Sequence, residues 1–78
     1  ELNIYPVPTG ENITINTGDW FDDKMTLTIY SMTGQVLLQK LMTDQTEVVS
    51  LKNFESRFYH VQFTGDDTNI VKRIEVIK

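Results

Sequence analysis

Residue types able to do chemistry are few and scattered in this chain. His60 is the single histidine and there is no cysteine, so a zinc site would lack the imidazole and thiolate ligands that zinc prefers. Ser31, Ser50 and Ser56 have no base near them in the sequence, although a serine nucleophile needs one to be activated. We therefore expect no enzymatic activity, no metal centre and no cofactor.

Two acidic pairs and one aromatic pair are candidates for binding. Asp22-Asp23 and Asp66-Asp67 could offer carboxylates to Ca²⁺, but neither pair has the ligand spacing of a known calcium loop, and paired aspartates are common in turns. Trp20-Phe21 lies beside carboxylates, an arrangement that suits a sugar platform. The structural alternative is an aromatic cap over one end of a small core.

Basic residues are concentrated near the end of an otherwise acidic chain. Lys72, Arg73 and Lys78 are three of the 7 basic residues, and they fall within the last seven positions. Lysines on an exposed edge strand deter the addition of another chain, which would explain them structurally. A surface recognised by a protein partner would explain them equally well, and the two interpretations are compatible.

Length and charge exclude several classes of protein. A chain of 78 residues is one domain, and it buries only about 60% of its unfolded surface. The net charge of −4 would repel a phosphate backbone, so we expect no nucleic-acid partner. No apolar run approaches the roughly 20 residues of a membrane helix, and we expect no signal peptide within the given residues. The chain begins at Glu1 and opens directly into strand-like sequence, so we expect a piece of a longer protein.

The strongest structural signal is the segment MTLTIYSMTGQVLLQK, residues 25–40. Met25, Leu27 and Ile29 alternate with polar or aromatic residues, which is the period of a half-buried strand. Gly34 then suits a turn, because it tolerates positive φ. A three-residue loop, Met32 to Gly34, sets Ile29 opposite Leu37. The alternative, a two-residue Thr33-Gly34 turn, sets Ile29 opposite Leu38.

Five further segments show strand patterns bounded by turn residues: 2–5, 12–17, 46–51, 58–64 and 70–77. No segment shows a helical period. About seven short strands at intervals of roughly 8–12 residues indicate an all-β, antiparallel β-sandwich. The residues that we expect in its single core are Leu2, Ile4, Ile13, Ile15, Leu27, Ile29, Tyr59, Val61, Phe63, Ile74 and Val76.

Three segments occur in an order typical of one family. They are LNIYPVPTGENITI, LTIYSMTGQVL and VVSLKNFESRFYHVQF, the last followed by VKRIEVIK. Together they resemble the C-terminal sorting domain of the type IX secretion system over nearly the whole chain. Each motif alone is common, whereas their order, spacing and total length are much more specific.

This resemblance implies a fold and a function. The fold is an immunoglobulin-like sandwich formed by residues 1–78 as a single C-terminal sorting domain, part of a longer exported protein whose cargo domain precedes it. Such a domain directs its cargo through an outer-membrane translocon and is often removed by a sortase-like endopeptidase complex, which can attach the cargo to a lipopolysaccharide anchor. The implied route is through the periplasm to the cell surface or medium. The competing hypothesis is an accessory carbohydrate-binding or adhesive module of a secreted enzyme.

The resemblance also indicates which residues could be recognised. Tyr5, Pro6 and Pro8 match the first motif, Gly34 the hairpin and Tyr59 the aromatic strand; the basic residues of the last strand match Lys72, Arg73 and Lys78. Two positions depart from the family pattern. Val7 stands where an asparagine is usual, and Arg57 stands where a glycine is usual, so Arg57 must have ordinary φ or be strained.

Overall fold

Seven strands make up most of the molecule. The computed structural model describes residues 2–6, 10–20 and 25–78, and of Trp20 only the backbone. A 3₁₀ turn, Gly18–Trp20, follows the second strand. The strands are β1 Asn3–Tyr5, β2 Asn12–Asn16, β3 Thr26–Ser31, β4 Val36–Leu41, β5 Thr46–Ser50, β6 Arg57–Thr64 and β7 Asn69–Val76.

The strands form two antiparallel sheets. One sheet has the order β1-β2-β5 and the other β4-β3-β6-β7. The chain passes from one sheet to the other after β2, after β4 and after β5, so strands that are adjacent in sequence often lie in different layers. This arrangement is a seven-stranded β-sandwich of the immunoglobulin-like kind, which confirms the predicted fold class.

Alternating apolar residues of both sheets meet in one core. Of the residues predicted for it, Ile4 is half-buried against the core and all the others are buried. Four more buried residues complete it: Met25, Met42, Val49 and Leu51. Phe54, in the loop before β6, packs against the same cluster.

The β3–β4 hairpin combines the two predicted registers. The Ser31 amide donates to the Gln35 carbonyl (2.8 Å), which closes a loop of the three residues Met32 to Gly34. Tyr30 accordingly faces Val36, but a β-bulge then shifts the pairing, and Ile29 faces Leu38 instead of the predicted Leu37. The loop prediction was therefore right and the predicted partner of Ile29 wrong. The bulge leaves Leu37 41% exposed and lets Leu38 pack against the core.

A salt bridge joins the two sheets at the connection between β4 and β5. The ammonium of Lys40 on β4 donates to the Glu47 carboxylate on β5 at 2.8 Å. The amide and hydroxyl of Thr43, between the strands, donate to the other carboxylate oxygen at 3.1 Å. The hydrogen bond from Lys40, helped by those from Thr43, holds the pKa of Glu47 below its ordinary value of 4.5, although partial burial acts in the opposite direction.

Candidate recognition surface

The two adjacent basic residues of β7 point to opposite faces of the sheet. Lys72 lies opposite Val61, a core residue, whereas Arg73 lies opposite His60 on the outer face of the sheet. Side chains of cross-strand partners point to the same face of a sheet. Lys72 therefore lies on the inner-facing side of the edge and Arg73 on the outer side, and both residues are exposed.

Arg73 is held over an aromatic ring on the neighbouring strand. Its guanidinium carbon lies 4.8 Å from the ring centroid of Phe58, a distance at which the ring attracts the cation. Phe58 is 40% exposed, so the pair forms an apolar and cationic spot on the outer surface. The sequence did not single out Phe58, because its pairing with Arg73 depends on the β6–β7 register.

Lys78 does not join the other two basic residues. Its ammonium donates to the carbonyls of Leu51 (2.9 Å) and Lys52 (2.7 Å), and its amide donates to the Ser56 hydroxyl at 2.9 Å. These bonds tie Lys78, the second residue after β7, to the loop between β5 and β6. The ammonium of Lys78 is therefore engaged in a structural contact, and the three basic residues do not form one patch.

Tyr59 has a structural environment as well. Its side chain is 3% exposed, its hydroxyl donates to the Glu55 carbonyl at 2.7 Å, and its ring meets that of Phe54 edge-on at 5.1 Å. A tyrosine on the sixth strand that bonds back to the preceding loop is the tyrosine corner of immunoglobulin-like domains. Tyr59 thus orders this corner from inside the molecule.

Arg57, which stands where the family usually has glycine, has an ordinary backbone. None of the described residues other than glycine has positive φ. The arginine is therefore accommodated without the strain that a left-handed conformation would bring. Its guanidinium pairs with Glu55 at 2.9 Å, and both side chains are well exposed.

The first motif lies on the other sheet, beside β7. Tyr5 ends β1, is 49% exposed and joins an exposed Pro6 through a cis peptide bond; Pro8 lies outside the described residues. β1 and β7 are edges of different sheets, and a groove of about 260 Å³ separates them. Gly34 lies in the exposed β3–β4 loop with φ at 94°.

The remaining candidates of the sequence do not assemble into a site. Among residues 2–6, 10–20 and 25–78, no three potential ligands from His, Asp and Glu come together. Asp22-Asp23, Phe21 and the side chain of Trp20 lie outside the described part. Within that part, no helix is long and apolar enough to span a membrane.

The described strands define a class of protein: a small all-β module built as a two-sheet sandwich. The profile of the family described as "Secretion system C-terminal sorting domain" matches residues 3–78, and the chain belongs to this family. A domain of this family is the C-terminal sorting signal for type IX secretion, which carries proteins across the outer membrane and implies interaction with that machinery. No curated protein matches the chain.

Proposed function

We propose that residues 1–78 are a single, non-catalytic targeting domain of a longer exported protein. The domain takes the cargo that precedes it through the periplasm and delivers it to the outer-membrane translocon. A sortase-like endopeptidase complex then removes the domain, and the cargo is released or anchored at the cell surface. The observation that carries this proposal is the family match over residues 3–78, which includes every strand of the sandwich.

The hydrophobic core supports the proposal that this domain can act as a sorting signal whatever cargo precedes it. It includes Leu2, just before β1, and Val76, the last residue of β7, so residues near both ends of the chain close the same cluster. A domain with its own core needs no contact with its cargo to fold. The translocon would then read the surface of a fixed structure.

Export of a fusion protein tests the proposal. A periplasm-directed reporter followed by residues 1–78 is expressed in a host with type IX machinery, and reporter is measured in the periplasm, on the surface and in the medium. We expect export across the outer membrane. If the reporter stays in the periplasm although the domain is folded, the proposed function is wrong.

Neutralising selected basic residues locates the recognised surface. Lys72→Gln with Arg73→Gln removes two charges from β7 and leaves the hydrogen bonds of Lys78 to the β5–β6 loop in place. The matched control, Lys52→Gln with Arg57→Gln, removes the same charges from exposed residues near the β5–β6 loop. We expect only the β7 variant to accumulate in the periplasm while its circular dichroism and thermal midpoint remain near normal. Normal export of that variant would show that the two residues only protect the edge.

A further inference from the structure

The longest edge strand in the described part of the molecule is open on one side. β7 is 8 residues long and has β6 on one side, while none of the described strands pairs with its other side. An edge strand presents unpaired amides and carbonyls, and an extended peptide can add to them as a further strand. The groove along this edge is lined by Leu2, Asn3 and Ile4 on one side and by Lys72, Arg73 and Ile74 on the other.

The two charges at this groove lack carboxylate partners among the described residues. Lys40 and Arg57 each pair with a glutamate at 2.8 and 2.9 Å, whereas neither Lys72 nor Arg73 forms such a pair with residues 2–6, 10–20 or 25–78. Two adjacent cations deter most strands from pairing at this edge. A strand with carboxylates opposite them would instead be attracted.

The direction of the two side chains favours a strand over a flat anionic surface. Lys72 and Arg73 point to opposite sides of the sheet, since their β6 partners are Val61 and His60. A membrane lying against either face of the sheet would meet only one of them. A strand laid along β7 alternates in the same way, so two successive acidic residues meet both cations. The ring of Phe58 already orients Arg73, which reduces the entropy lost on binding.

We propose that the free edge of β7 binds an extended segment of a partner protein, and that this segment has two successive acidic residues opposite Lys72 and Arg73. Asp67 lies before β7 and Glu75 near its end, so further acidic residues in the segment would be repelled. The inference rests on the proposed function only in assigning the partner to the secretion machinery.

Binding is tested first with the purified chain. The probe is a synthetic ten-residue peptide of threonine and valine with two successive glutamates at its centre; its control has two glutamines there. We expect the acidic peptide at about 1 mM to shift the amide resonances of residues 70–74 and protect them from hydrogen exchange. Binding should weaken about tenfold with the glutamine peptide or with Lys72→Gln and Arg73→Gln, and it should fall as NaCl rises from about 0.05 to about 0.5 M.

Two results of this experiment overturn the inference. One is an absence of shifts in residues 70–74 at that peptide concentration. The other is equal binding of both peptides, which would mean that the charges do not select the strand. If vesicles of phosphatidylcholine and phosphatidylglycerol at a ratio of about three to one perturb β7 while the peptide does not, the charges recognise lipid instead.

Crosslinking then tests the partner in the secreting host. A photo-reactive phenylalanine analogue replaces Val71, 54% exposed on β7, or in the control Val48, 61% exposed on β5. We expect position 71 alone to crosslink to a protein segment with two successive acidic residues, as read by mass spectrometry. Normal export with no such crosslink overturns the inference and leaves the proposed function intact. If the reporter is not exported, the proposed function fails, and the peptide experiment still decides whether β7 accepts an acidic strand.

Discussion

At Gly34 the backbone conformation, and not the space around the residue, favours glycine. Its φ is 94°, and a Cβ atom built there would meet no atom within 4 Å. Any loss of stability on substitution would therefore come from the backbone conformation, and a β-branched residue is disfavoured most strongly at positive φ. We expect Gly34→Val to cost about 1–2 kcal/mol and Gly34→Asn clearly less, as measured by thermal unfolding. A midpoint unchanged in Gly34→Val would contradict the loop geometry.

Tyr59 tests a single buried hydrogen bond. Tyr59→Phe keeps the ring against Phe54 but leaves the Glu55 carbonyl without the hydroxyl at 2.7 Å. We expect a loss of about 1–2 kcal/mol in urea unfolding. Tyr30→Phe is the control, because Tyr30 is a half-buried residue on the outer face and its hydroxyl has no hydrogen bond among the described residues. Equal losses in both variants would show that the corner bond contributes nothing particular.

At the scale of elements, the salt bridge between Lys40 on β4 and Glu47 on β5 makes the stability of the domain depend on pH. Because the pKa of Glu47 is lowered in the folded state from about 4.5, its contribution is present above pH 4.5 and is lost as the pH falls through the folded value. We expect Glu47→Gln to lower stability by about 1 kcal/mol at neutral pH. The difference from the unaltered chain should shrink in thermal scans taken at successively lower pH below 4.5. A difference that does not depend on pH would mean that the charge of Glu47 is unimportant.

The hydrogen bonds of Lys78 connect the end of β7 to the β5–β6 loop. Lys78→Gln removes an ammonium that donates to the Leu51 and Lys52 carbonyls. We expect faster hydrogen exchange in residues 52–56 and a loss of about 1 kcal/mol in stability. Lys52→Gln removes an equally basic side chain but keeps the carbonyls, so it should do neither. Defective export of a fully stable Lys78→Gln variant would assign recognition to this lysine after all.

The sequence predicted the elements better than their contacts. Alternation of Leu27 and Ile29 with polar residues identified β3, and Gly34 identified the loop that follows. The bulge was not predictable, because Leu37 and Leu38 are identical residues and either could face the core. Likewise, the partners of Lys78 are main-chain carbonyls, which leave no trace in the sequence, so its separation from Lys72 and Arg73 became visible only in three dimensions.

At the scale of the whole molecule, one core sets the stability. Ile29 is fully buried between the sheets, so Ile29→Ala should cost about 2–5 kcal/mol, out of a total on the order of 5 kcal/mol. We expect chemical denaturation to show a largely unfolded variant at 37 °C. The matched control is Val48→Ala, which truncates a 61% exposed side chain and should leave the midpoint nearly unchanged. A cooperative transition near that of the unaltered chain would show that the core tolerates the cavity.

The positions of the core residues along the chain determine when the core can form during synthesis. Ile74 and Val76 belong to the same buried cluster as Leu2, and β7 completes the sheet that β3 and β6 begin. During synthesis the cluster therefore stays open until the last strand has emerged. A chain cut before Lys72 would lack both the closing apolar residues and the exposed cations of β7. Under the proposed function, such a shortened chain would lose the stable fold and the recognised charges together.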